Sequence, residues 1–266
     1  MVNLLARGSR FAANALSVTV AAVLIGLWFL VSWRGWIKPL YLPTPWRVVE
    51  AAVDVEPNIF IQACYTAALI VSGLIAGAAL GIAIGLLVRQ SFLARAILTR
   101  LIESSRPVPV VALVPFFILW FGYSLLGKFV LVSLGTFLIV IVGTTEAIDR
   151  LDPIFLRVAV SFGATNGQFL RRGALPAIMP PLLAPLRIAL AVAATLAVVS
   201  EYMGATVGLG HVIYNALNTF ASHTVLLCAL MLGAIGGSLD WLLRILHRRT
   251  VRWVKLAEEA VVRDID

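Results

Sequence analysis

The stretch Gly122-Tyr123-Ser124-Leu125-Leu126-Gly127-Lys128 has the GxxxxGK spacing of a loop whose backbone N–H groups and lysine cradle phosphates. Phe129 follows where such a loop needs a Ser or Thr to hold magnesium, and the stretch reads as a short turn between apolar runs, so no nucleotide chemistry is expected there. His211, His223 and His247 stand far apart, without an HExxH pair or a carboxylate at ligand spacing, which gives zinc nothing to bind. Cys64 and Cys228 both fall in apolar runs without CxxC spacing and read as buried structural thiols. No GxSxG occurs. No catalytic residue and no metal ligand is assigned.

Glu201 is different. A carboxylate inside an otherwise apolar span costs on the order of 2.5–3.5 kcal/mol and faces protein, water or a partner. Two readings stand side by side: a side chain that reaches the outer interface, or a residue that lines or gates a pathway.

The elements that must position these residues are set by composition. Of 266 residues 61% are hydrophobic and only 13% charged, against about half and a quarter in soluble domains. Crossing the hydrocarbon takes about 20 mostly apolar residues. Runs of that kind predict spans near 15–33, 60–88, 101–121, 127–146, 183–204 and 222–246, so the fold class is an all-α integral membrane protein of about six transmembrane helices. The formal charge of +8 is not gathered on a soluble module, so no nucleic acid partner is expected. Arg7 and Arg10 ahead of the first apolar run resemble a signal peptide, but the run ends in Trp33-Arg34-Gly35-Trp36 and reads as a retained span.

Lys and Arg counts set the orientation, because cytoplasmic loops carry the excess. Arg7, Arg10, Arg89, Arg95, Arg100, Arg150, Arg157, Arg171, Arg172, Arg248, Arg249 and Arg252 lie on one side; Arg34, Lys38, Arg47 and Lys128 lie on the other. Both termini are therefore expected in the cytoplasm. The chain divides into a cytoplasmic N-terminus with the first span (1–34), an external segment with a short interfacial helix (35–59), a core (60–246) containing a long cytoplasmic loop (147–182), and a cytoplasmic tail (247–266). Gly73, Gly77, Gly81 and Gly85 recur every fourth residue and allow close helix approach, either within the chain or between two copies of it.

The long loop carries the clearest local signals. Asp152-Pro153 pairs an N-cap with a proline at the first helical position. The helix that follows is expected to stop at Gly163, where a left-handed residue closes it. Thr165 and Gln168 match a capping box that opens a second helix, and Leu175-Pro176 with Pro180, Pro181 and Pro185 is expected to end it. Phe162, Phe169, Arg171 and Arg172 are then offered to a partner; an amphipathic loop resting on lipid headgroups is the alternative.

Gly163, eleven intervening residues and Leu175-Pro176 resemble the EAA loop of permease subunits of binding-protein-dependent ABC importers. Leu42-Pro43-Thr44-Pro45, Arg106-Pro107-Val108-Pro109, Ala112-Leu113-Val114-Pro115, Trp120-Phe121-Gly122 and Gly208-Leu209-Gly210 resemble the nitrate, taurine and alkanesulfonate group of that family, over about 42–253. The resemblance implies a type I importer permease fold in a bacterial plasma (inner) membrane. It also implies a homodimeric pore, a cytoplasmic ATPase dimer that holds ATP and magnesium, and an external solute-binding protein. This chain itself would carry no cofactor and hydrolyse nothing.

By the same resemblance the coupling loop comprises Arg157, Val158, Ala159, Phe162, Gly163, Ala164, Thr165, Gln168, Phe169, Arg171, Leu175 and Pro176. Arg157-Val158-Ala159 stands where the family usually has Glu-Ala-Ala, and Gly173 replaces a customary apolar residue. The main rival reading, an ion-coupled secondary transporter, calls for ionisable residues near the bilayer midplane, and the sequence offers few.

Overall fold

The computed structural model describes residues 2–55, 58–88, 97, 100, 104 and 108–251, and among them there are helices and no strands. The helices are α1 (Val2–Trp33), α2 (Pro45–Asp54), α3 (Ile59–Val88), α4 (Val114–Phe121, entered through a 3-10 turn at Val110–Leu113), α5 (Leu125–Asp149), α6 (Pro153–Ser161), α7 (Asn166–Phe169), α8 (Leu175–Ile178), α9 (Leu183–Tyr202), α10 (Leu209–Asn218) and α11 (Ser222–Thr250). Arg89, Arg95, Arg106, Pro107, most of the expected start of the third span and the tail from Arg252 lie outside the described residues.

Four helices, α3, α5, α9 and α11, are long and apolar enough to cross a membrane; Thr19–Trp33 and Val110–Phe121 are shorter apolar segments. Fewer than half of the residues in the apolar stretch of each are buried within the chain, least of all in α11. That is the signature of helices solvated by lipid or by another subunit, since hydrophobic side chains need no burial against protein when the solvent is itself apolar.

Two compact units are present. The first comprises 1–59 and 212–230. Within it the Trp28 indole donates to the Pro43 carbonyl at 3.0 Å, and the Ser222 hydroxyl donates to the Pro39 carbonyl at 3.2 Å. Helix α2 buries Val48 and Ala51 on one face and exposes Arg47, Val49, Glu50 and Val53 on the others.

The second unit comprises 60–211 and 231–266. Its core gathers Leu69 and Ile70 of α3, Val114 and Phe117 of α4, Leu131 and Val132 of α5, and Leu190, Ala193, Leu196 and Ala197 of α9. The glycine stripe of α3 lies against α5 of the same chain: a Cβ on Gly81 would stand 2.9 Å from the Ile141 nitrogen, and one on Gly85 would stand 2.7 Å from Thr144 Cγ2. Thr136 Oγ1 donates across this seam to the Gly73 carbonyl at 3.0 Å. The stripe is thus occupied by intrachain packing and is not left for a second copy.

Cys228 is buried but Cys64 is exposed on α3, which corrects the expectation for that thiol. An apolar run predicts depth in the membrane, and it leaves open which face turns outward.

Candidate functional site

The loop after α5 is built as its caps dictate. Asp152 Oδ1 accepts from the Ile154 N–H at 2.8 Å, Pro153 opens α6, and Gly163 turns the chain at φ +69°. Thr165 and Gln168 close a reciprocal box: the Thr165 N–H donates to Gln168 Oε1 at 2.9 Å, and the Gln168 N–H donates to Thr165 Oγ1 at 3.3 Å. These bonds satisfy the free donors of two short helices that have little burial to hold them.

Helix α6 turns Ile154, Phe155, Arg157, Val158 and Val160 outward, and Phe162 beyond it is 85% exposed. Ala159 and Ala164 are half-buried. Phe169 is less available than the sequence suggests. Its ring covers Gly173, where a Cβ would meet it at 3.2 Å, so the glycine that departs from the family pattern makes room for an aromatic four residues earlier. Arg171 and Arg172 are exposed.

Leu175-Pro176 does not end the second helix. Residues Leu170–Ala174 widen into a π turn and α8 continues through Pro176 to Ile178. A proline inside a helix lacks an N–H and presses its ring on the carbonyl four residues back; a widened turn relieves both demands. The chain turns at 179–182, and Pro185 sits inside the first turn of α9. Ile178 and Leu182 are fully buried with Ala147 and Ile148 of α5 and are flanked by Leu175 and Met179, which ties the C-terminal part of the loop to the end of α5.

At the opposite end of α9, Glu201 is 3% exposed and reaches no outer surface. Its carboxylate lies 2.8 and 3.0 Å from Thr66 Oγ1 and accepts from the Gly210 N–H at 3.0 Å, at the start of α10. Thr66 Oγ1 in turn accepts from the Leu209 N–H at 2.9 Å, and Gln62 Oε1 accepts from the Gly208 N–H at 2.6 Å. Three side chains of α3 and α9 therefore satisfy three successive N–H groups at the α10 N-terminus, where the helix dipole favours a negative group. Gly208 makes this possible with φ +106° and no Cβ, since a Cβ there would collide with the carboxylate. Lys128 at the start of α5 stands within electrostatic reach of Glu201. Gly122, with φ +61°, and the Ser124 N-cap form the short turn ahead of Lys128, where Ser124 Oγ accepts from the Gly127 N–H at 3.2 Å.

A cavity of about 570 Å³ opens between α5 and α9. Leu138, Ile139, Val142, Ile188 and Val192 give it aliphatic walls, and Glu146 and Arg150 stand at its loop end. Glu201 is not among its lining residues.

Residues 73–252 match the profile of the family described as the inner membrane component of binding-protein-dependent transport systems. The chain belongs to that family. The permease is 33% identical to the taurine transport system permease protein of Escherichia coli (strain K12), over 90% of this chain and 89% of that one. It is 31% identical to a putative aliphatic sulfonates transport permease protein of Bacillus subtilis (strain 168), over 87% and 85%. Its fold is similar to that of an inward-facing MetNI methionine ABC transporter structure, with a TM-score of 0.58 and 22% identity over 75% of this chain and 99% of that one.

The sequence marks Glu201 in this permease but not the groups gathered around it. Gln62 and Thr66, four residues apart in an apolar span and so on one helix face, were the available signal, together with Gly208-Leu209-Gly210 seven residues beyond the carboxylate.

Proposed function

We propose that this permease, paired with a second copy, forms the pathway by which a small organic anion or zwitterion of the taurine and sulfonate kind enters the cell. A binding protein delivers the solute and a separate ATPase, holding ATP and magnesium, drives the cycle. The single observation that carries this reading is the loop 152–176: doubly capped, apolar on its outer face, and anchored by Ile178 and Leu182 to the ends of α5 and α9. A rigid exposed element rooted in the helices that wall the cavity can transmit a push from outside the membrane to that cavity.

The ATPase seats α6 and Phe162, and Arg157 meets an acidic side chain of it, the reverse of the usual sign at that position. Both termini and the loop face the cytoplasm, as the arginine count supports. Glu201 is an anchor of the outer end, holding α10 to α3, and does not contact the solute.

Co-purification tests the docking. Phe162→Asp is expected to abolish recovery of the ATPase with the permease, and Arg157→Glu to reduce it at least several-fold. Full recovery with both variants and normal uptake would remove the loop from the coupling role.

A further inference from the structure

We propose that Arg187 and Arg244 form a site for the phosphate of an anionic phospholipid, at the membrane boundary on the 152–182 side of the permease. Asp240 of α11 stands between them. It accepts from Arg187 Nε at 2.5 Å and Nη2 at 3.3 Å, bridging α9 to α11, and from Arg244 Nη2 on its own helix. One carboxylate between two guanidinium groups leaves a net charge of +1. Of the five N–H donors each arginine carries, Arg187 directs two at Asp240 and Arg244 one.

The side chains of Arg187 and Arg244 are 47% and 45% exposed while that of Asp240 is 19% exposed, so the acid is sheltered and the bases face outward. All three belong to helices long and apolar enough to cross a membrane, where facing outward means facing lipid or another subunit rather than open water. Their depth follows from a second contact. His247 Nε2 lies 2.9 Å from the Met179 carbonyl and pins the end of α11 beside the turn that precedes α9. Asp240 is two helical turns inward of His247, roughly 10 Å at 1.5 Å per residue. The headgroup layer on each side of a bilayer is about 5–8 Å thick, which puts the triad near the level where phosphates meet acyl chains. Trp241, 63% exposed, has the amphipathic ring that favours this level.

A single positive charge left at that depth is unfavourable without a counter-ion, and a lipid phosphate brings one negative charge to it. Asp240 holds both guanidinium forks in place beforehand, so little side-chain freedom is lost when they close on phosphate oxygens. Arg248 and Arg249, exposed one turn further along α11, extend the attracting field. Neither Arg187 nor Arg244 lines the cavity between α5 and α9, which separates this site from the solute pathway.

The complete transporter, reconstituted in vesicles of equal parts phosphatidylcholine and phosphatidylglycerol and then extracted in mild detergent, can be weighed by native mass spectrometry. Phosphatidylglycerol is expected to be retained in excess. The double variant R187Q/R244Q should lower that excess by about five-fold per arginine, and R248Q/R249Q should lower it less. Should the double variant fail to assemble, R244Q keeps the Arg187–Asp240 contact, makes the triad neutral and must by itself lower the excess about five-fold. Equal retention of the two lipids by the unmodified complex, or an unchanged excess in R244Q, overturns the proposal. Separation of the permease copies in R244Q with the excess intact assigns the patch to protein contact and overturns it as well.

Discussion

Glu201 shows how a costly residue is made affordable by its neighbours. Its partner Thr66 also serves α10, facing the carboxylate while it accepts from Leu209, and Gln62 one turn earlier on α3 accepts from Gly208. Thr66→Ala removes both functions of the hydroxyl and should destabilise the fold by about 1–3 kcal/mol, read as a lower unfolding temperature of the purified complex, with Thr66→Ser restoring most of it. Glu201→Gln keeps the shape but turns one acceptor into a donor facing N–H and O–H groups. It should lower stability and uptake together. Uptake lost at unchanged stability would instead place Glu201 in the pathway or its gate. The sequence makes the cost of Glu201 legible, because a carboxylate among Ala, Val and Leu is visible in a string. It does not show what meets that cost, because Thr66 is 135 positions away and only the fold brings it near.

At the scale of elements, legibility follows the range of the forces involved. The loop's caps are local: Asp152 reaches two residues and Thr165 reaches three, so both are read from spacing alone. The π turn at Leu170–Ala174 is not, since it reconciles Pro176 with a helix whose far side is already buried by Ile178. The glycine stripe is legible as a surface made for close approach, but its partner is not, because α3 presents glycines equally well to α5 or to another copy. Gly81→Leu forces α3 and α5 apart and is expected to abolish a stable fold, seen as loss of monodisperse protein in detergent. Gly233→Leu, on α11 where a Cβ meets nothing within 4 Å, is expected to leave stability unchanged. Equal behaviour of the two would deny that the α3–α5 seam is the tight one. Burial failed as a guide at Cys64 for a related reason: in lipid, apolar sequence and interior position are no longer the same property.

For the whole molecule, the parts divide labour along the helices. One end of α9 is locked through Glu201 to α3 and α10; the other begins at the turn that carries the loop 152–182, and the cavity lies between α9 and α5. A bundle held at one end and joined to an exposed loop at the other can be shifted between two arrangements only by a partner that binds one of them better. The central claim is that this partner is an ATPase acting through α6 and Phe162. Its most direct test is uptake of a sulfonate into proteoliposomes that hold the complete transporter, with binding protein outside and ATP sealed within. Uptake is predicted to require internal ATP, to persist when ion gradients are collapsed, and to vanish in Phe162→Asp. Uptake that continues without ATP and stops with the ion gradient would contradict the account.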